Sequence, residues 1–407
     1  MRILVLLAAL GVVAAWAAAA QAGEIEPIKS IQIGKNRQFI VNGKPFFPIM
    51  SWAQNPKRYA ARSDVGFNVH CSGKADPEAA KAVGCYAVTG FDSAAAGSEY
   101  LLGWLHGDEP DMPRKDPDDP NAPRRPKRSV EEVAANYKRI KAADAKRPVF
   151  VTFTACFMTE DSRYDAAAKA KLYPAYVRGC DVVGFDIYPI YGSGHANHLD
   201  WVAKGVTQLR ELGGPRRPLY AWIETHKGSK WMTYEKQPDV LPIHTRSEVW
   251  MAIIRGATAI GYFTHAWRPS FTEFAPTPDM QAEMKRLNSQ ITRLAPAILA
   301  DEAKSKVQMK LAGEEAGGLN CHTKATEHDG ALYIFAQNID LGPGAEKLRQ
   351  FDPIDPRGGK ATVRVAGLKA GTKIEVVDEN RALTAGDGQF TDQFAPLAEH
   401  IYRIEMK

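Results

Sequence analysis

The chain lacks the residues from which small stapled or metal-held folds are built. It has five cysteines in 407 residues, too few for a disulfide scaffold and odd in number. No Cys-x-x-Cys, His-x-His or His-Glu-x-x-His occurs, so the spacing predicts no zinc site, and neither a metal nor a cofactor is assigned. A dominant charge is also missing. Lys and Arg number 52 against 47 Asp and Glu, a formal net charge of +5, which gives no argument for a nucleic-acid partner. Beyond the first twenty or so residues there is no apolar run long enough to cross a bilayer.

What is present begins with an export signal. Met1-Arg2 gives a positive start, an apolar stretch runs from Ile3 to about Ala20, and Ala20-Gln21-Ala22 fits the small-x-small cleavage rule. Residues 1–22 therefore read as a signal peptide and the mature chain as periplasmic or extracellular. An uncleaved anchor is the alternative, and no cysteine follows the cleavage site to carry a lipid. The remaining length exceeds what one compact core usually holds.

Asn42-Gly43, the strongest short hairpin signal, joins Gln38–Val41 to Pro45–Met50. Eight apolar runs then alternate with helical or irregular stretches: Phe46–Trp52, Val65–Cys71, Cys85–Phe91, Leu101–Leu105, Pro148–Thr154, Asp181–Tyr188, Pro218–Ile223 and Ala257–Thr264. Near-continuous apolar strands predict a parallel sheet covered on both faces, and eight such units predict a (β/α)8 TIM barrel. Ser129 with Glu132, and Thr245 with Glu248, read as capping boxes. A helix from Pro278 is expected to end near Leu294, before Pro296. The segments after strands two and three are short, so any helices there are short or irregular. From about Ala300 short alternating runs and Gly-rich turns predict a small antiparallel β-sandwich. The expected organisation is a signal over 1–22, a barrel with its N-terminal hairpin over 23–299 and a sandwich over 300–407. Within that barrel Cys71 and Cys156 follow strands whereas Cys85 and Cys180 precede them. Bridges between Cys71 and Cys85 or between Cys156 and Cys180 would thus span opposite strand ends, and buried free thiols are expected.

In such a barrel the strand C-termini converge on one rim. Read in order, they supply Trp52 and Gln54, His70, His106 with Asp108 and Glu109, Thr154, Asp186 and Tyr188, Glu224 and His226, and His265 with Trp267. Aromatic faces, carboxylates and imidazoles in one place suit a carbohydrate substrate. Glu109 and Glu224 close strands four and seven, across the mouth from one another. Two carboxyls flanking a scissile bond are the reacting groups of a glycosidase. Asp186 is ambiguous, since strand residues alternate between lumen and helix layer. The loop 111–128 carries six basic and four acidic residues. It is either a solvated excursion or a lid that selects an acidic or branched substrate.

This layout resembles the clan A glycoside hydrolases over roughly residues 40–295. Asp108-Glu109-Pro110 stands where the clan usually has Asn-Glu-Pro. Val41-Asn42-Gly43-Lys44-Pro45-Phe46-Phe47 is similar to the entry to strand one, and the C-terminal Tyr-Arg-Ile run to the clan's accessory domains. The resemblance implies a secreted retaining glycosidase, with Glu109 as acid/base and Glu224 as nucleophile. It also implies that Tyr188 bonds the nucleophile and that Trp267 is an aromatic platform, with Trp52, His70, Asp108, Asp186 and His265 completing the substrate site. Asp108 departs from the pattern. When ionised it can only accept a hydrogen bond, and its charge should raise the Glu109 pKa. Two other readings remain at this point: an inactive carbohydrate-binding barrel, and a metal-dependent hydrolase using His70, His106 and His265. The sugar and the oligomeric state are not read from the sequence.

Overall fold

A computed structural model describes residues 25–119, 122, 124–160, 164–313 and 318–406; the expected signal, 1–22, lies outside them. Among the described residues no helix is long and apolar enough to cross a membrane.

Eight parallel strands close into a barrel: β1 Ile49–Trp52, β2 Val69–Ser72, β3 Tyr86–Gly90, β4 Leu101–Leu105, β5 Val149–Thr154, β6 Val182–Asp186, β7 Leu219–Glu224 and β8 Ala259–Phe263. Each falls on one of the eight predicted apolar runs. The helices are α1 Pro77–Lys81, α2 Val130–Ala143, α3 Ala166–Val177, α4 Trp201–Gly213, α5 Pro242–Arg255 and α6 Pro278–Ile298. As expected, α1 is short, and no helix stands between β3 and β4.

Strand periodicity sorts the side chains. Met50, Val69, Cys71, Val88, Leu102, Phe150, Tyr220 and Trp222 fill the lumen. Val183, Phe185, Leu219, Ala221 and Ile223 face the helices. Glycines admit the two largest lumen rings: a Cβ on Gly184 would lie 2.1 Å from the Tyr220 ring, and one on Gly261 would lie 2.1 Å from Trp222. The rings' polar ends are satisfied, Tyr220 OH by Thr152 Oγ1 at 2.8 Å and Trp222 Nε1 by the same oxygen at 3.2 Å. The Asn42-Gly43 turn forms with both residues at positive φ, as a two-residue hairpin requires. It sets Phe39 beneath the barrel, stacked on Phe150 at 5.7 Å.

Ser129 and Glu132 form the expected capping box at α2. The second expected box does not form. Helix α5 begins at Pro242, where proline's fixed φ suits the first helical position, so Thr245 and Glu248 lie inside the helix and are fully buried. Helix α6 also outruns its expected end and carries Pro296 in its last turn. The carbonyls beyond are picked up from outside, Ala297 O by Thr326 Oγ1 at 2.7 Å and Ile298 O by Lys324 Nζ at 2.7 Å.

The C-terminal part is two antiparallel sheets. One has six strands in the order 301–302, 321–328, 331–338, 399–405, 373–376, 381–384, and the other has three in the order 307–312, 359–365, 389–394. They enclose their own core, including Leu332, Ile334, Val363, Phe390 and Tyr402. Phe335 stacks on Trp250 of α5 at 5.9 Å, and Gln337 Nε2 donates to Ser247 O at 3.0 Å. Four of the five cysteines, Cys71, Cys85, Cys156 and Cys180, are buried.

Candidate active site

The barrel mouth gathers three carboxyls. Register settles the side to which Asp186 points: Val182 and Gly184, four and two residues earlier, face the lumen, and Asp186 follows them on the same face. There its carboxyl faces that of Glu109 at close range. Glu109 sits between Asp108 and Pro110 at φ 48°. That left-handed conformation is unfavourable for a non-glycine residue, and more so before proline; strain of this kind gathers at functional sites. Asp108, Glu109, Asp186, Tyr188 and Trp52 all keep part of their surface open to solvent, although many protein atoms crowd around them.

Electrostatics favour a pair that shares one proton, with Asp186 the group that holds it more tightly. Burial, then the charge of Asp108, pushes the Glu109 pKa up to about 7, against the lowering effect of Asp186 beside it. The direction matches that expected from Asp108. Asp186 is raised well above the usual carboxylate range, first by burial and then by the charges of Glu109 and Asp108. Lys127 returns from the 111–128 loop, its Nζ donating to Asp108 O at 2.5 Å. The loop's base is anchored by Asp111, fully buried, which accepts from Thr154 N at 3.0 Å, Thr154 Oγ1 at 2.7 Å and Tyr173 OH at 2.9 Å.

Glu224 is in a different setting. It has no solvent exposure. Its carboxyl accepts from Ile190 N at 3.0 and 3.2 Å and from Tyr191 N at 2.6 Å. Glu248, also fully buried, turns its own carboxyl toward Glu224 without reaching good hydrogen-bond geometry. Thr245 Oγ1 donates to Glu224 O at 2.8 Å. Burial pushes the Glu224 pKa up to about 7, opposed by the two amides. The residue expected to face Glu109 as nucleophile is thus sealed behind the wall of the mouth, where it ties the 187–191 loop to α5. Tyr188, expected to bond it, instead stands beside Asp186, whose charge together with burial raises the phenol's pKa. The contact to Glu224 comes from the Tyr191 backbone.

The histidines divide likewise. His70 lies outside the lumen between Val69 and Cys71, bonded to Ser51 Oγ at 2.6 Å and stacked on Tyr59 at 3.5 Å. Burial drives its pKa down to about 3, so it is a neutral wall residue and does not border the cleft. His106 likewise bonds Gly179 O at 2.8 Å and Asn136 Nδ2 at 2.9 Å, on the helix side. With His70 and His106 facing the helices on β2 and β4, the three histidines of the metal reading do not converge. His265 is buried at the rim, its ring 5.6 Å from Phe263 and 5.9 Å from Phe271.

Aromatic rings extend the site outward. Trp52 packs on Trp222 at 4.9 Å, and Tyr188 on Phe263 at 4.8 Å. Beyond them Trp267, Phe271 and Trp231 are exposed at 39, 59 and 59%. Lys230 Nζ lies 4.8 Å from the Trp267 ring and 5.5 Å from Trp231. The two loops that carry these rings are pinned together by Gly228 O, which accepts from Trp267 N at 2.7 Å and Arg268 N at 3.0 Å. The sequence reading missed Lys127, Tyr191, Glu248 and Phe271 as members of this region. Pro242 was the available signal for Glu248, because a helix starting there turns Glu248 inward.

No protein-family model matches the chain, and no curated protein sequence matches it. Solved structures do. An alpha-amylase from Geobacillus thermoleovorans complexed with acarbose has 10% identity and a TM-score of 0.50, over 86% of this chain and 91% of that one. A GH30 endoxylanase from Clostridium papyrosolvens has 12% identity and a TM-score of 0.43, over 93% and 98% of the two chains. An endo-1,4-beta-mannanase from Rhizomucor miehei has 12% identity and a TM-score of 0.46, over 65% and 99%. The amylase comparison shows a shared barrel fold.

Proposed function

We propose that the chain is a glycoside hydrolase that cleaves O-glycosidic bonds of an oligo- or polysaccharide at the barrel mouth, with Glu109 as the proton donor and Asp186 as the second carboxyl. One observation carries this reading: carboxyls that follow β4 and end β6 face each other at close range, beside Tyr188 and with part of their surface open to solvent, and burial with the charge of Asp108 pushes the Glu109 pKa up to about 7. A carboxyl that holds its proton near neutrality is what a general acid requires. In the resting pair the one shared proton sits on Asp186, the group raised further; as a sugar parts the two carboxyls it passes to Glu109, and from Glu109 to the glycosidic oxygen as the bond breaks. Asp186 is left ionised beside the developing positive charge.

Retention is the outcome this pairing favours. Retaining carboxyl pairs stand ~5–5.5 Å apart and inverting pairs ~6.5–9.5 Å apart. Two carboxyls at such close range have to part less to admit a sugar in the first case than in the second. Asp186 then attacks the anomeric carbon, the aglycone leaves with the Glu109 proton, and water activated by Glu109 releases the sugar. Export of the chain follows from its N-terminal pattern and is part of the same proposal.

Aryl glycosides of several sugars test the reading. Turnover, with first-formed product of the substrate's own anomeric configuration by proton NMR, is expected; no turnover on any glycoside would overturn it. The exposed rings Trp231, Trp267 and Phe271 favour a second reading, a barrel that binds carbohydrate without cleaving it. In that case oligosaccharides bind, as followed by quenching of tryptophan fluorescence, and are recovered intact.

A further inference from the structure

At the end of the barrel away from the mouth, a cavity of about 340 Å³ lies between the N-terminal hairpin, the ends of α4, α5 and α6, and the C-terminal sheet. Four cations line it: Lys35, which pairs with Asp301, and three more from separate elements. Arg37 comes from the turn between the strands Ile31–Ile33 and Phe39–Val41, Arg210 from α4 and Lys324 from the strand 321–328. A Cβ added to Gly256 would lie 3.3 Å from Arg210 Nη1 and 3.5 Å from Arg37 Nη2, so the two guanidinium groups flank one glycine.

The positive charge here is poorly balanced. Lys324 is lowered to about 8 by burial and then by the charge of Arg37. Arg37 and Arg255 are both lowered, by burial and by the charge of Arg210. Of the two carboxylates at the cavity, Asp301 is engaged by Lys35 Nζ at 2.7 Å and Asn36 Nδ2 at 2.7 Å, and the exposed Glu302 offsets the lowering of Arg37 and Lys324 only in part.

Helix ends explain part of the arrangement. Arg210 Nη1 donates to Arg255 O at 3.2 Å, and Lys324 Nζ to Ile298 O at 2.7 Å, where helix dipoles favour cations. They do not explain Arg37. It holds a left-handed backbone at φ 62°, and its buried Nε has no hydrogen-bond partner among the described residues. A buried guanidinium donor without a partner is costly, and a planar donor fork matches a tetrahedral oxyanion.

We propose that this cavity binds a phosphate or sulfate group, free or as the ester of a small metabolite, between Arg37, Arg210 and Lys324. The volume falls at the small end of ligand pockets, roughly 300–1,000 Å³, and exceeds what the bare ion fills. The site is separate from the mouth and does not depend on the proposed activity.

Isothermal titration calorimetry on the full chain tests it, with inorganic phosphate, inorganic sulfate and glucose 6-phosphate as probes. Glucose and sodium chloride at matched ionic strength are the controls. Saturable binding of the three anions, absent for both controls, is the expected result. Arg37→Asn keeps a residue that tolerates the left-handed backbone and removes the guanidinium; it should weaken binding about tenfold. Lys324→Met should weaken it in the same direction. Tighter binding of glucose 6-phosphate than of phosphate assigns the cavity to an ester, and equal binding assigns it to the free ion. Heat no different from that of chloride, or binding unchanged in both variants, would overturn the proposal.

Discussion

Asp108, Glu109 and Asp186 meet in the open mouth; Glu224 and Glu248 meet behind its wall. Both groups contain carboxyls pushed toward neutral pKa values, and in both burial is the first cause. They differ in access. The first group touches solvent, is lined by aromatic rings and sits at a strained backbone. The second has no exposure and uses its best-placed oxygens on backbone amides. A raised carboxyl pKa therefore does not by itself mark a catalytic acid. Access of solvent to the carboxyl is the further requirement, and of these two groups the first meets it.

The largest expected effect tests the open side. Glu109→Gln keeps shape and backbone but removes the proton, and should lower kcat/KM on an unactivated glycoside by about 10²–10⁴-fold. Asp108→Asn should act on the same group more gently. Without the neighbouring charge the Glu109 pKa falls, so the alkaline limb of the pH–rate profile, near 7 in the parent, moves to lower pH. An unmoved limb would separate Asp108 from the acid.

The sealed side should respond in stability. Glu224→Ala leaves the Ile190 and Tyr191 amides buried without an acceptor, and a loss of about 2–4 kcal/mol is expected from urea unfolding. Glu224→Gln keeps an acceptor for these amides and should retain most of the activity. Activity abolished by Gln, in a protein that unfolds at the parent's urea concentration, would restore Glu224 as the nucleophile and break the comparison.

Proton linkage gives a smaller effect with a definite sign. Glu224 moves from an ordinary value of 4.5 to about 7, and Glu248 is raised as well. The folded chain therefore binds more protons than the unfolded chain between these values. Its contribution to stability is full below about 4.5 and is lost as pH rises through about 7, on the order of 2 kcal/mol. Glu109 and Asp111, the latter raised to about 6, act in the same direction. The Glu224→Gln variant should show a shallower decline in unfolding free energy between pH 5 and pH 8, and a parallel decline would remove Glu224 from the account.

The eight strands were legible because apolar runs bounded by turn residues report directly on burial. Glu109 was legible for the same reason, as the carboxyl that follows β4. Facing was harder to read. His70 and His106 end apolar runs just as Glu109 does, yet one turns to Ser51 and Tyr59 and the other to Gly179. Their orientation depends on register, which a single strand does not carry. The surroundings of Glu224 were illegible for a related reason. Its partners are two amides from the loop after β6 and an acid on α5, both remote in sequence. Thr245 and Glu248 reproduced a capping pattern on a turn that is buried, and the pattern contains no record of burial.

The smallest expected effect concerns the rings that lead away from the open acids. If the mouth takes an extended sugar chain, Trp267 should contribute through one apolar face, and its 39% exposure leaves much of that face available. Lys230, between the two indoles, holds them by cation–π contact and limits the ordering that binding has to impose. Trp267→Ala should raise KM for oligosaccharides several-fold, about 1 kcal/mol, with kcat little changed, because the ring touches neither Glu109 nor Asp186. A monosaccharide aryl glycoside, too short to reach the platform, should be cleaved by the variant as by the parent. Equal losses on short and long substrates would mean that Trp267 supports the acid cluster itself. The open region would then extend to the loop after β8.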